Sequence, residues 1–193
     1  MVATSSKKSR REQTARRKRS GRRTRIGLIA LFLAIVLVSG GWYVWRESER
    51  PGQSIDSMGR AHVPQGTPSP AYNSIPPTSG PHASPTSWGE HSTEIPHVNQ
   101  VHNLEHGGVL VQYNCEHDGL RGRCDQVRQD LRALLRTARE EIDSKIILAP
   151  YTKVDQPIAL TSWTRAQYLA EPDKKAILRF IRANVNRAPE QVE

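Results

Sequence analysis

From Gly108 onward the chain alternates between two apolar periods, the period of a strand (about two) and that of a helix (about 3.6). Val109-Leu-Val-Gln-Tyr113 is a short, β-branched apolar run set off by Gly107-Gly108, which predicts a buried strand. From Asp125 to Ile142, apolar residues return every three or four positions at Val127, Leu131, Leu134, Leu135, Ala138 and Ile142. That spacing predicts an amphipathic helix, with Asp125 as its N-cap. Lys145-Ile-Ile-Leu-Ala-Pro-Tyr151 and Pro157-Ile-Ala-Leu-Thr-Ser-Trp163 read as two more strands. Pro157 stands at the start of the second, a position where a strand tolerates it. A second helix is expected over Asp173 to Asn184, with Ala176, Ile177, Phe180, Ile181 and Val185 on one face. The order β-α-β-β-α predicts an α+β fold, a small mixed sheet with two helices against one face.

Upstream the periods disappear. Residues 46–70 include Pro51, Gly52, Gly59, Pro64, Gly66, Pro68 and Pro70, which predicts an extended stem. Tyr72 to Pro96 is again rich in Pro and Ser, notably in Ile75-Pro-Pro-Thr-Ser-Gly-Pro-His82. Proline fixes φ and removes a donor, so little regular structure is expected there. Irregular stretches of this length in compact domains are usually functional or disordered. Tyr72 and Trp88 predict that this one packs on something. The domain is therefore expected over 71–189, an irregular Pro/His-rich arm followed by the layered part.

The N-terminal region has a different character. Residues 26–45, Ile-Gly-Leu-Ile-Ala-Leu-Phe-Leu-Ala-Ile-Val-Leu-Val-Ser-Gly-Gly-Trp-Tyr-Val-Trp, form 20 uncharged positions. A helix of about 20 residues crosses the hydrocarbon core of a bilayer, and Trp42, Tyr43 and Trp45 suit its interface. Of the 28 Lys and Arg, eleven lie in residues 1–25 beside a single Glu12, so that tail carries +10. The remaining 168 residues, with 17 basic and 18 acidic side chains, carry −1. A charge this local excludes a general nucleic-acid surface. It predicts instead a disordered cytoplasmic tail that touches anionic lipids. Under the positive-inside rule, everything after Arg46 lies outside the cell membrane. A cleaved signal peptide fits less well, because no small-residue cleavage site follows the apolar run. In that compartment Cys115 and Cys124, spaced C-x8-C, are expected to form a disulfide rather than a redox pair. A loop of this size adds about 2–3 kcal/mol in the chain-entropy model.

The candidate chemistry lies in histidine. Five of the seven (His82, His91, His97, His102 and His106) fall within 25 positions, and Val101-His-Asn-Leu-Glu-His-Gly-Gly108 carries two of them beside Glu105. His102-Asn-Leu-Glu-His106 matches H-x-x-E-H, a string found in zinc peptidases in which the carboxylate serves as general base. Its setting is poor for that role, since Gly107-Gly108 and a strand follow at once. Metal binding without hydrolysis is the broader reading, with His82, His102 and His106 converging if the Pro-rich arm folds back over the strand. Imidazole with carboxylate suits zinc or copper. The alternative is a buried polar network in which the imidazoles and Glu105 brace irregular backbone. His91, His97 and His117 are expected at the surface.

Tyr72-Asn-Ser-Ile-Pro-Pro-Thr-Ser-Gly-Pro-His82, then Val101-His-Asn-Leu-Glu-His-Gly107, then Ala149-Pro-Tyr151 and Pro157-Ile-Ala-Leu-Thr-Ser-Trp163, resemble the bacterial domain of unknown function 3105. The resemblance runs from about Gly59 to Pro189. It implies a membrane-anchored, actinobacterial-type protein and matches His62, in Arg60-Ala-His-Val63, together with His82, His102, Glu105 and His106. Those five are the expected metal site. The sequence names no substrate and no protein partner, and it favours a binding or structural module over an enzyme.

Overall fold

The structure is a computed structural model that describes residues 28–29, 31–43, 45 and 49–190. The chain divides into two compact units, Met1–Glu49 and Arg50–Glu193. In the first, residues 28–29, 31–43 and 45 are helical and exposed. Among the described residues no helix is long and apolar enough to cross a membrane. The span expected over 26–45 falls partly outside them, and the tail over 1–25 entirely so.

The second unit is a mixed α+β fold around a six-stranded sheet. In chain order its elements are β1 (Gln53–Ser54), β2 (Gly89–Glu90), α1 (His97–Glu105), β3 (Val109–Tyr113) and α2 (Cys124–Glu141), then β4 (Ile146–Pro150), β5 (Ile158–Ser162), β6 (Arg165–Leu169) and α3 (Lys174–Asn184). The strands lie in the order β1-β6-β5-β3-β4-β2. β3 and β4 are parallel, with Val109 opposite Ile146, so a crossover must join them, and α2 is that crossover. β3–β5 and β5–β6 are antiparallel. The last pair closes in a two-residue turn at Trp163-Thr164, where Thr164 takes φ 55°.

The expected helices and strands stand where the periodicity placed them, with ends shifted by a residue or two. Asp173 caps α3 by accepting from the amides of Lys175 (2.8 Å) and Ala176 (3.2 Å). Asp125 does not cap α2. The N-cap is Arg123, and Asp125 stands in the first turn. Alternation along the central strands sends Val109, Val111, Tyr113, Ile146, Leu148, Ile158 and Leu160 to one face. There they meet Val127, Leu131, Leu135 and Ala138 of α2, and Ile177, Phe180 and Ile181 of α3. Full burial of such a side chain stabilises by roughly 1.5–3 kcal/mol. Cys115 and Cys124 are disulfide-bonded, with Cα atoms 5.5 Å apart, and Cys124 is the first residue of α2.

Three strands and one helix were not expected. β1 and β2 are two-residue edges, and β6 carries the mixed run Arg-Ala-Gln-Tyr-Leu. α1 escapes a periodicity search for a physical reason: every residue from Val98 to Glu105 is buried, so no polar stripe alternates with an apolar one. The expected stem over 46–70 also changes meaning. From Arg50 the chain belongs to the folded unit, because Gln53–Ser54 pairs with β6 and Ala61 accepts from the His82 amide at 2.9 Å.

The second face of the sheet is covered by α1 and the Pro-rich arm. Leu104 and Ile95 pack there on Leu110, Ile147 and Ala149, with Trp88 and Trp163 at the margin. A Cβ on Gly108 would stand 2.5 Å from the Trp88 ring and 2.8 Å from the Asn103 carbonyl, so only glycine lets the chain turn from α1 into β3.

Candidate metal centre

The arm does double back. Its residues 76–80 are buried, and hydrogen bonds tie it on both sides. Thr164 N–H donates to Thr78 O (3.0 Å), Gly80 N–H to Gly59 O (3.1 Å) and Ala83 N–H to Val98 O (3.0 Å). Asn103, fully buried on α1, accepts from Thr86 N–H (2.9 Å) and donates to Thr86 O (3.0 Å). A parallel bridge joins His62 to His82, with Val63 N–H donating to His82 O at 2.8 Å. That bridge aligns the imidazoles of two segments twenty residues apart, and α1 brings His102 under them. Ring centroids are 4.5 Å apart for His62 and His82, 5.0 Å for His82 and His102, and 5.2 Å for His62 and His102. One nitrogen from each of the three lies within 4.8 Å of the other two.

The tautomers follow from their partners. Nδ1 of His82 lies 2.8 Å from Gly80 O, and Nδ1 of His102 lies against Ala83 O. A carbonyl only accepts, so each Nδ1 carries the proton and, in a neutral ring, each Nε2 presents its lone pair. A second nitrogen tied to a backbone carbonyl is how metal-bound histidines are held in proteins. Burial pushes the His102 pKa below the usual imidazole range, against the pull of its bond to Ala83; His106, His82 and His62 push it down too. A neutral ring is the form that ligates a metal.

Glu105 completes the inner side. Its Oε2 stands 2.8 Å from His82 Nε2 and 4.0 Å from His62 Nε2, while Oε1 is 3.8 Å from Arg60 Nε. Despite the 2.8 Å approach, neither His82 Nε2 nor Glu105 Oε2 is aligned for a hydrogen bond, and both are buried without a partner. A lone pair and a carboxylate oxygen that face each other this closely are reconciled by a proton or a metal ion between them. His106 lies just beyond. Its Nε2 is 3.0 Å from His102 Nε2 and 3.3 Å from Glu190 Oε2. The C-terminal segment reaches this point by a second set of bonds, Asn186 N–H to Gly107 O (2.8 Å) and Glu190 N–H to Glu105 O (3.2 Å).

Among known proteins, the model of the family described as "Protein of unknown function (DUF3105)" matches residues 62–193. The chain belongs to this family. The match begins at His62 itself, so the DUF3105 region contains all five residues of the histidine–glutamate group. No curated protein and no solved structure matches the chain.

The structure thus gathers His62, His82 and His102 into one group, with Glu105 against His82 and His106 against His102. Arg60 and Glu190 were missed by sequence reading. Arg60 shows no signal beyond a charge beside His62, and Glu190 lies past the expected boundary at residue 189. His102 to Glu105 do lie on a helix, as the H-x-x-E-H string demands. Yet Glu105 is only 1% exposed and turned to His82 rather than to an open cleft. His91, His97 and His117 stand apart, half-buried rather than at the surface. They meet Ser87 O, the Tyr151 hydroxyl and the Gly119 amide respectively.

Proposed function

We propose that the domain binds one transition-metal ion through His62, His82 and His102, with Glu105 and His106 as the adjoining ligands. Zinc and copper are the ions that best suit imidazole with carboxylate. The observation that carries the reading is the convergence of His62, His82 and His102 within 4.8 Å of one another, beside the Glu105 carboxylate 2.8 Å from His82 Nε2 and with Nδ1 of both His82 and His102 spent on carbonyls. Metal–nitrogen bonds of about 2.0–2.1 Å around a tetrahedral ion put neighbouring ligand atoms roughly 3.3 Å apart. The separations of 2.8 to 4.8 Å bracket that value. A metal ion here would replace a proton between the facing nitrogen and carboxylate oxygen.

We further propose, from the sequence of the N-terminal region, that the protein is a single-pass membrane protein. Residues 26–45 span the bilayer, the basic tail meets anionic lipid on the cytoplasmic side, and the metal domain lies outside. The uncharged apolar run and its basic flank support this arrangement.

The test is metal analysis of the full chain purified in detergent, followed by thermal unfolding with and without Zn²⁺ or Cu²⁺. One ion per chain is expected. At a thousandfold excess over Kd the ion should stabilise the fold by about 4 kcal/mol. His82→Ala and His102→Ala should each abolish that gain. An equal gain in both variants, or no ion in the wild type after reconstitution, would leave the imidazoles as braces only.

A further inference from the structure

The histidine centre is closed on one side and open on the other. His82, His102 and Glu105 are buried, so the protein encloses the inner side. The His62 side chain, in contrast, is 59% exposed and that of Arg60 is 52% exposed. Both belong to one extended stretch. In it Gly59 O and Ala61 O accept from the amides of Gly80 and His82, and Val63 N–H donates to His82 O. Side chains two positions apart on extended backbone share a face. Arg60 and His62 thus stand together over the centre, with Arg60 Nε 3.8 Å from Glu105 Oε1 and His62 Nε2 4.0 Å from Glu105 Oε2.

That approach to Glu105 is the one polar contact of the Arg60 side chain among the described residues, and 3.8 Å is too long for a hydrogen bond. A guanidinium carries five donors in a planar fork that fits two oxygens of a carboxylate or phosphate. Here those donors are unspent at the mouth of the centre. A divalent ion held by His62, His82 and His102 outweighs the Glu105 carboxylate, and Glu190 lies against His106. The exposed side is then cationic twice over, from the ion and from Arg60. Structural zinc is enclosed by four protein ligands, whereas a site with an open side takes water or a small ligand there. Zinc also expands to five ligands.

We propose that the loaded centre takes a small oxyanion, of the carboxylate or phosphate class, at the solvent side beside His62. One oxygen meets the metal and another the Arg60 guanidinium. The inference rests on the metal reading above and names the ligand class of that site. Arg60 binds the anion and not the ion, because a guanidinium is always charged and accepts no bond.

The experiment uses the full chain in detergent, loaded with Cu²⁺, with bound metal measured in every sample. Visible absorption and electron paramagnetic resonance are followed as acetate or inorganic phosphate is added, at an ionic strength held constant with weakly coordinating perchlorate. A saturable spectral change is expected with the metal retained. The apparent Kd should rise several-fold in Arg60→Gln and return most of the way in Arg60→Lys. Full metal with no spectral change in the wild type would overturn the anion site and leave the metal reading standing. Failure of the wild type to hold copper before any anion is added would overturn both. Copper stripped from the wild type by the anion would overturn the anion site alone. Equal affinity in Arg60→Gln, or loss of metal from that variant, would overturn the assignment to Arg60, the second outcome making it a brace for Glu105.

Discussion

The two faces of the sheet are built by different rules. On one, α2 and α3 close over Val, Leu, Ile and Phe side chains that need no partner but each other. On the other, α1 and the folded-back arm bury His82, Gln100, Asn103, Glu105, Gln112 and Thr161, each at 1% exposure or less. The first face is held by area removed from water, which is non-directional and tolerant of detail. The second adds to its smaller apolar cluster, Ile95, Leu104, Leu110, Ile147 and Ala149, side-chain bonds to irregular backbone, such as Asn103 to Thr86 and Gln100 Nε2 to Ile95 O at 2.6 Å. Such bonds add little net stability when made and cost more when broken. The comparison teaches that stability and chemistry are separated by the thickness of one sheet. The apolar face supplies a rigid floor, and the polar face spends part of that stability on a charged, incompletely satisfied group.

Substitutions can break this division or sharpen it. Phe180→Ala, on the apolar face, should destabilise the domain by about 3–5 kcal/mol in urea unfolding. It should leave the metal content of the folded protein unchanged, and a loss of metal would show that the faces are coupled. Asn103→Ala removes both bonds to Thr86 and should cost about 1–3 kcal/mol. Unlike Phe180→Ala, it should also weaken metal binding, read by competition with a chelator, because it loosens the arm that carries His82. Asp173→Ala, at the cap of α3, should cost about 1 kcal/mol with no effect on metal.

The smallest effect expected is a pH dependence on the polar side. Burial holds the His97 pKa below its ordinary 6.5, helped by Lys153 and opposed by Glu94, while its Nε2 meets the Tyr151 hydroxyl at 2.8 Å. As pH falls, the unfolded chain takes up this proton before the folded one does. The stability that His97 contributes is therefore complete above about pH 6.5 and is lost as pH falls through the lower folded value. Urea midpoints for wild type should drop across that window, and His97→Gln should flatten that part of the profile.

How much of this was legible in the sequence follows the same division. The helices α2 and α3 and the strands β3, β4 and β5 announce themselves by period, because each buries one side and wets the other, or is a short apolar run between breakers. α1 announces nothing, since burial on all sides removes the contrast that periodicity measures. β1, β2 and β6 are too short or too mixed in composition to read. At the site, His82, His102, Glu105 and His106 were visible as a dense cluster, and His62 through a family resemblance. Their convergence was expected only on condition that the arm folds back; the parallel bridge between two proline-bearing segments that brings His62 beside His82 is a pairing that no local pattern encodes. The loss of Asp125 as a cap has a similar cause: the disulfide-closed loop leads into α2 two residues early, with Arg123 as N-cap and the helix beginning at Cys124.

The bonds from Asn186 and Glu190 to Gly107 and Glu105 have a practical consequence. Through them Glu190 brings its carboxylate within 3.3 Å of His106 at the edge of the histidine centre. Versions of the chain that stop before Glu190 would lose the carboxylate that meets His106 and the bond that ties the C-terminal segment to Glu105.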